Sequence, residues 1–497
     1  MRTAEVLSIY HDLKNSKNPN ILSKPLNLDI LSMNHEKRPN SASVEDAFFG
    51  DSGKGSVVAK LNEKLAKKGK VFSLRANGGA NAGHEADING KKIVTHQIPM
   101  GVVKEGATAF ISRGMVLHPE DVLIEIDHIN KSLDTPELPG NLIIDYNTPL
   151  ALDTHRAYES VLNQETTGGR GSTGRGIAPA NMEIYGRTAL SVRDLTREDW
   201  EKGTREHFRL YQKMVSGFGK ELGDIEVYTM ASAEKRRVGT EEEFIDRLRE
   251  ARTGIKKYVA SNVYDLLNDA WRNNLDIPFT IEHAQGAGID VFHGIYPDVT
   301  AGRTMSRNIN DATYNIILPE QIALRAAVMK ATYTSSVGIR KLPHKDSEEY
   351  RKYQHRIQED FDEKGRSTGR LRDIYPVPIN PVGTYLREAA AYTHLVVTHL
   401  DASNPGEEFE VVIGYRDKNT GKERPYSPYQ EDLNELEPVT VKFDGWDGKA
   451  VKQIRLPKDL QYETRLYLAF LDRTLAPVAM ATTGPELGSY ISWIKLP

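Results

Sequence analysis

The chain has 497 residues, a formal charge of −4 from 65 basic and 69 acidic side chains, an isoelectric point near 6.4 and no cysteine. That length can bury a large core, and the near-even charge balance leaves no electrostatic footprint for nucleic acid or an anionic membrane. Without cysteine, disulfides, thiolate catalysis and Cys-type zinc or iron–sulfur sites are excluded, and no apolar run approaches the roughly 18 residues of a membrane span.

Residues 1–42 are polar, rich in Asn, Ser and Lys, and without sustained periodicity. They lack the apolar stretch of a signal peptide and carry Glu5, Asp12, Asp29 and Glu36, unlike a transit peptide. They are expected to form a partly disordered N-terminal extension, followed by one elaborated α/β domain over 43–497 in a cytoplasmic protein. Ser43–Phe49 matches a plain apolar strand poorly, yet it leads into Gly50-Asp51-Ser52-Gly53-Lys54-Gly55-Ser56. The glycines let backbone N–H groups converge on an anion. Lys54 adds a point charge, and the amphipathic helix predicted over Ser56–Lys68 offers its N-terminus to phosphate. A carboxylate among phosphates, Asp51, implies a metal ion or a proton to be removed. This is not a Walker A loop, because Phe48 stands at its first glycine position and Gly55 where Ser or Thr is needed.

Gly69 follows the helix where a left-handed cap is expected. A strand over Lys70–Arg75 leads to a second glycine loop, Asn77-Gly78-Gly79-Ala80-Asn81-Ala82-Gly83-His84, so two loops can face one phosphate group. Strands at Ala109–Ile111 and Leu142–Tyr146 flank a helix over Pro119–Ile129, an alternation that predicts a mostly parallel sheet covered by helices on both faces. Gly169-Arg170-Gly171-Ser172-Thr173-Gly174 fits a GxGxxG string but follows a helical stretch, the wrong context for a dinucleotide site. Thr240 and Glu243 form a capping box that opens a helical region to about Asn274, broken near Gly254. Further strands are predicted at Ile277–Glu282, Leu395–Leu400, Phe409–Tyr415, Arg465–Leu471 and Val478–Thr482. Glu282-His283-Ala284-Gln285-Gly286 puts an amide and a glycine at a strand end, where α/β sheets bind ligands.

In register, these motifs resemble the adenylosuccinate synthetase family, whose signatures read Gly-Asp-Glu-Gly-Lys-Gly and Gly-Gly-x-Asn-Ala-Gly-His; the resemblance runs from about Phe49 to Pro485. It implies a P-loop-like α/β fold and a homodimeric, Mg²⁺-dependent ligase that joins L-aspartate to C6 of IMP. GTP is then the driving nucleotide, through a 6-phosphoryl intermediate in purine biosynthesis. On this resemblance Asp51 is the base and, with the Gly83 carbonyl, holds Mg²⁺; His84 is the acid partner, and Lys54 and Gln285 complete the catalytic set. The substrate nucleotide falls to Asp51, Lys54, Asn81, Ala82, Gly83, His84, Thr173, Gln285, Thr300 and Arg370, and to Arg187 reaching across the dimer. The donor triphosphate falls to Gly50 through Ser56 and to Gly83, His84, Glu85 and Arg372. Its base falls to His399, Leu400 and Asp401 and to Thr482, Thr483 and Gly484. Arg366, Ser367, Thr368, Gly369, Arg370 and Arg372 match the aspartate loop, where arginine forks suit a dicarboxylate.

The chain departs from the family at several of these positions. Ser52 replaces a glutamate, Glu85 a threonine, Phe292 an aspartate, Ser336 and Leu371 arginines, and His399 the guanine-site lysine. These changes bear on which nucleotide enters more than on phosphoryl transfer. Two alternatives stay open: an ATP-using synthetase acting on dGMP or GMP, and a nucleotide-binding relative without ligase activity. Retention of Asp51 favours IMP.

Overall fold

The structure, a computed structural model, describes residues 2–22, 37–66, 69–165, 172–230, 234–365, 369, 371–388 and 392–495. Its frame is a ten-stranded sheet. The strands are β1 (Arg38–Asp46), β2 (Val71–Arg75), β3 (Ala107–Ile111), β4 (Asn141–Asp145), β5 (Val259–Ala260), β6 (Phe279–Gly286), β7 (Ile322–Lys330), β8 (His394–Thr398), β9 (Val478–Thr482) and β10 (Tyr490–Ser492). They lie in the order β10-β9-β8-β7-β1-β6-β2-β3-β4-β5, and every neighbouring pair is parallel except β9 with β10.

The central strands are buried on both faces, as parallel strands covered by helices must be. Along β7, Ala326 and Val328 join the core beneath α2 (Lys54–Leu65), whereas Ala327 and Met329 join the core on the opposite face. That second core holds Leu466, Tyr467, Leu468 and Phe470 of a late helix, Tyr462–Thr474. The sequence reading of Arg465–Leu471 as a strand is therefore corrected. A run buried on every side loses the one-sided periodicity that separates helix from strand. β7 itself escaped the sequence reading, because Ile-Ala-Leu-Arg-Ala-Ala-Val-Met-Lys is rich in good helix formers and poor in β-branched residues.

Most other elements fall where the patterns put them. α2 ends at Leu65, and Gly69 adopts a left-handed φ of 75°. α3 (Pro119–Leu133) starts on its proline. α4 (Asp153–Glu165), α5 (Ile177–Gly186) and α6 (Trp200–Ser216) pack together beyond β4. α7 (Glu241–Ile255) carries the Thr240–Glu243 capping box in full. The helical region to Asn274 does break near Gly254, but the break includes a strand, β5. Phe409–Tyr415 is part of a strand, Glu408–Asp417, in a separate sheet where it pairs antiparallel with Leu436–Asp444.

The N-terminal segment also differs from expectation. The boundary at residue 42 falls inside β1, and Thr3–Lys14 forms a helix, α1, whose Val6 and Leu13 enter the main core. Val6, Tyr10 and Leu13 make a narrow stripe at i, i+4 and i+7, easily hidden among polar neighbours. Residues 23–36 of the expected extension lie outside the described residues. Among the described residues no helix is long and apolar enough to cross a membrane.

Candidate active site

β1 lies between β6 on one side and β7 on the other, so the chain leaves its carboxyl end at the point where the winding of the sheet reverses, the place where open α/β sheets bind ligands. A cavity of about 440 Å³ opens at that edge between the connections after β1, β2, β7, β8 and β9, while the end of β6 packs against the first loop through Gln285 and Gly50. Its wall includes Gly50, Asp51, Gly53, Lys54, Gly55 and Ser56 of the first loop, Gly83, His84 and Glu85 of the second, Arg372, His399, Asp401, Thr482 and Gly484. Most of the residues expected to hold a nucleoside triphosphate thus meet in one space.

The two glycine loops touch. A side chain on Gly55 would place its Cβ 2.8 Å from the Glu85 amide nitrogen, and one on Gly50 would come 2.8 Å from the Gln285 Cα, so neither position admits a larger residue without moving backbone. Lys54 is buried and donates to the Gly50 carbonyl at 2.7 Å. Its ammonium lies 3.7 Å from Asp46 at the end of β1. Burial depresses the Lys54 pKa, while Asp46 and Asp51 work against the depression. Asp46 in turn accepts the N–H groups of Phe48 at 2.8 Å and Ser52 at 3.0 Å, fixing the loop from within.

Asp51 is about a quarter exposed and receives Arg372 at 3.1 Å. The other arm of Arg372 donates to Glu363 at 2.7 Å, and Glu363 also accepts from Lys330 and, at 2.6 Å, from the Tyr333 hydroxyl. Burial works to raise the Glu363 carboxyl, but Lys330 and Arg372 outweigh it and hold it below its usual range. Across the cavity the His84 Nδ1 meets Glu282, which also accepts the Met100 N–H at 2.8 Å and lies 3.4 Å from Arg75. Burial and then the Arg75 charge push the His84 imidazole down to about 4, with Glu282 pulling the other way. Glu282 itself stays ionised: burial opposes this, and His84 and Arg75 override it. The Nδ1–H is therefore committed to Glu282, and proton exchange with a ligand falls to Nε2.

At the far end, Asp401 is largely buried in the wall with the Lys452 ammonium 3.4 Å away. Burial raises its pKa and Lys452 counters. His399, at a left-handed φ of 57°, donates its N–H to the Thr482 hydroxyl at 3.3 Å, and burial followed by Lys330 pushes its ring down to about 3. Leu400 is buried behind them, and Thr483 is held from outside by Arg455 at 3.3 Å.

The residues expected to hold the substrate nucleotide are brought together only in part. Gln285, at a positive φ of 63°, donates to the Thr300 hydroxyl at 2.9 Å. Asn77 bonds both ways to Ala284, at 3.1 and 2.8 Å, and so ties the loop carrying Asn81 and Ala82 to β6. Thr173 and Arg187 do not border the cavity; Arg187 is exposed, in left-handed conformation, just past α5. Arg366, Ser367, Thr368 and Arg370 lie outside the described residues, and Gly369 is exposed with a φ of 65°. Four residues that sequence reading gave no role, Arg75, Glu282, Lys330 and Glu363, surround Asp51 and His84 directly or through Arg372. Glu282 and Glu363 stood inside or beside recognised motifs, while Arg75 and Lys330 are marked only by being charged at the end of a buried strand.

Away from the cavity, His155, Glu183 and His207 come close enough together to suggest a metal site among the described residues. The hydrogen bonding argues otherwise. His155 Nδ1 accepts the Leu152 N–H at 2.8 Å, so its Nε2 carries the proton and donates to Glu183 at 3.0 Å. A ligating nitrogen needs its lone pair.

Residues 44–491 match the family model described as adenylosuccinate synthetase. Relatives named adenylosuccinate synthetase include that of Koribacter versatilis, 31% identical over 90% of this chain and 94% of its own length. Another, from Christiangramia forsetii, is 28% identical over 88% and 96%. Among solved structures, fully ligated adenylosuccinate synthetase from Plasmodium falciparum superposes with a TM-score of 0.77 at 22% identity, covering 92% of this chain and all of that one. A cyanophage S-2L succinoaminodeoxyadenylate synthetase bound to dGMP and dATP gives 0.50 at 16%, covering 93% and 97%. At such identities the structural matches speak for the fold, and the family model speaks for the lineage: this chain is a ligase of the adenylosuccinate synthetase family.

Proposed function

We propose that the protein condenses L-aspartate with IMP at the expense of GTP, giving adenylosuccinate, GDP and phosphate. The observation that carries this reading is the placement of Asp51 and His84 in one cavity wall, each held by a second buried charge. Asp51 takes the proton from N1 of the purine, O6 attacks the γ-phosphorus of the donor, and GDP departs. The aspartate amine then adds at C6, the C6–O bond breaks, and phosphate leaves with the oxygen. His84 Nε2 stabilises the charge that develops on O6, with Glu282 supporting the imidazolium from behind.

The donor set fits Mg²⁺, which prefers carboxylate, carbonyl and phosphate oxygens. Asp51 presents a partly exposed carboxylate to the cavity, and Gly83 brings a backbone carbonyl to the same wall. Bound there, Mg²⁺ would neutralise charge on the donor phosphates. Asp401 supports guanine as the donor base, since a buried carboxylate accepts from the N1–H and 2-amino group that adenine lacks. A homodimer is supported by α5, which leaves Met182, Ile184 and Tyr185 at 53%, 38% and 72% exposure beside Arg187.

The deciding experiment is a matrix of IMP, GMP and dGMP against GTP and ATP, with aspartate, scored for succinylated product. Product with IMP and GTP in excess of every other pair is expected. Product only from dGMP with ATP would replace this reading by the phage-type one, and none from any pair would leave a nucleotide-binding relative without ligase activity.

A further inference from the structure

Helix α1 precedes the span that matches the family model, yet it is built into the molecule at many points. Thr3 donates to Glu423 through both its N–H, at 3.3 Å, and its hydroxyl. The Tyr10 hydroxyl donates to the Lys442 carbonyl at 2.6 Å, and Lys14 pairs with Asp444 at 3.4 Å. Gly414 lies under the first turn, where a Cβ would come 2.3 Å from the Thr3 hydroxyl oxygen. The strand beneath α1 thus leaves out the atom that would keep the helix away.

Two lines of contact run from this segment to the donor-base end of the cavity. In the first, the Tyr10 ring packs edge-on against Phe443 at 5.2 Å. Phe443 meets Phe409 at 5.9 Å, and Phe409 meets Trp446 at 5.7 Å. The Trp446 indole then donates to the Leu400 carbonyl at 2.6 Å, between His399 and Asp401. In the second, the Leu22 N–H donates to Asp472 at 3.0 Å, and the other oxygen of Asp472 accepts from Val478 at 2.9 Å. Val478 is the first residue of β9, which ends in Thr482 and the second donor-base loop.

We propose that the N-terminal segment Thr3–Leu22 is a built-in buttress that positions the two loops reading the donor base. The inference rests on the assignment of this end of the cavity to the donor nucleotide. Tyr10 and Trp446 are positioning residues, since neither borders the cavity. The effect should therefore appear in donor affinity and leave the reacting atoms alone.

The test uses the full-length chain carrying Tyr10→Ala, Tyr10→Phe or Trp446→Phe, with KM measured for each of the three substrates. Tyr10→Ala and Trp446→Phe should each raise the KM for the nucleoside triphosphate by roughly fivefold to tenfold, the scale of one lost packing or hydrogen-bond contact. The other two KM values and kcat should stay within about twofold, and Tyr10→Phe, which keeps the ring, should lie close to wild type. If Tyr10→Ala fails to fold, Tyr10→Leu keeps an apolar side chain against the core and loses the edge-on ring contact. A rise shared by all three KM values, a fall in kcat alone, or no change would each overturn the proposal. Calorimetric titration of wild type with GTP and with ATP separates the two ideas. Binding of neither defeats the donor assignment itself, whereas binding that is unaltered in Tyr10→Ala defeats only the buttress.

Discussion

Glu282 decides what His84 can do. With Nδ1–H donated to an ionised carboxylate, the ring has one nitrogen left for a ligand, and an incoming proton is stabilised by a charge already in place. Glu282→Gln keeps the volume and removes that charge. It should lower kcat by roughly 10- to 100-fold with substrate KM values little changed, the pattern of an interaction strengthened in the transition state. A rise in KM at constant kcat would assign His84 to binding instead. At the other end, Asp401→Asn should lower the ratio of kcat/KM for GTP over ATP by roughly tenfold or more, because an amide can present a donor where guanine needs an acceptor. A wild-type ratio below one would defeat the guanine assignment.

A third residue, Glu45, lies beneath the first loop. It is buried on β1, accepts from the Ser306 hydroxyl at 2.7 Å and stands 3.9 Å from His283. Burial raises its carboxyl from 4.5 to about 7. Between those values the folded state holds a proton that the unfolded chain releases, so stability falls as pH rises across that window and stays lowered above it. Glu45→Gln should therefore raise stability at pH 8 by about 1–3 kcal/mol and by little at pH 4.5 or below, where both states are protonated. Denaturant melts at the two pH values check this, and an equal gain at both would mean that the carboxylate charge is not the cause.

Among the elements, α5 is held on one face by its neighbours α4 and α6. Glu183 accepts a hydrogen bond from His155 of α4 at 3.0 Å, and His207 of α6 stands 3.3 Å from its other oxygen. The motif with Thr173 precedes the helix, and Arg187 follows it. If Arg187 completes the site of a second copy, Arg187→Ala and Asp51→Ala homodimers should both be inactive, and mixing them after subunit exchange should restore activity. Statistical exchange leaves about a quarter of all sites with both groups intact. No recovery after verified exchange would place Arg187 outside the reaction. α3 and α7, each with one wet face, announced themselves by proline and capping box, and α2 by its apolar spacing although nearly all of it is buried. The strand β7 and the helix Tyr462–Thr474 did not: β7 is made of good helix formers, and the helix is buried on nearly every side, so its apolar run reads like those of the buried strands β2, β8 and β9.

For the whole molecule, the sheet order explains why the site was partly legible. Loops at the ends of β1, β2, β6, β8 and β9 each carry a recognisable local signature, but their convergence depends on β1 lying between β6 and β7, strands far from it in the chain. Glu363 and Lys330 are 33 positions apart and meet only because that order brings them to one edge. Arg187 and Thr173, which follow and precede α5, do not border this cavity.

The Asp46 carboxylate, set inside the first loop, has a consequence for motion. Because the strand supplies an anion to the loop's own N–H groups, that loop is cast when the chain folds, like a die cut before the metal is poured. Little in it is left to rearrange when a nucleotide arrives. The opposite wall is held differently, by a contact of 3.1 Å between Arg372 and one oxygen of Asp51.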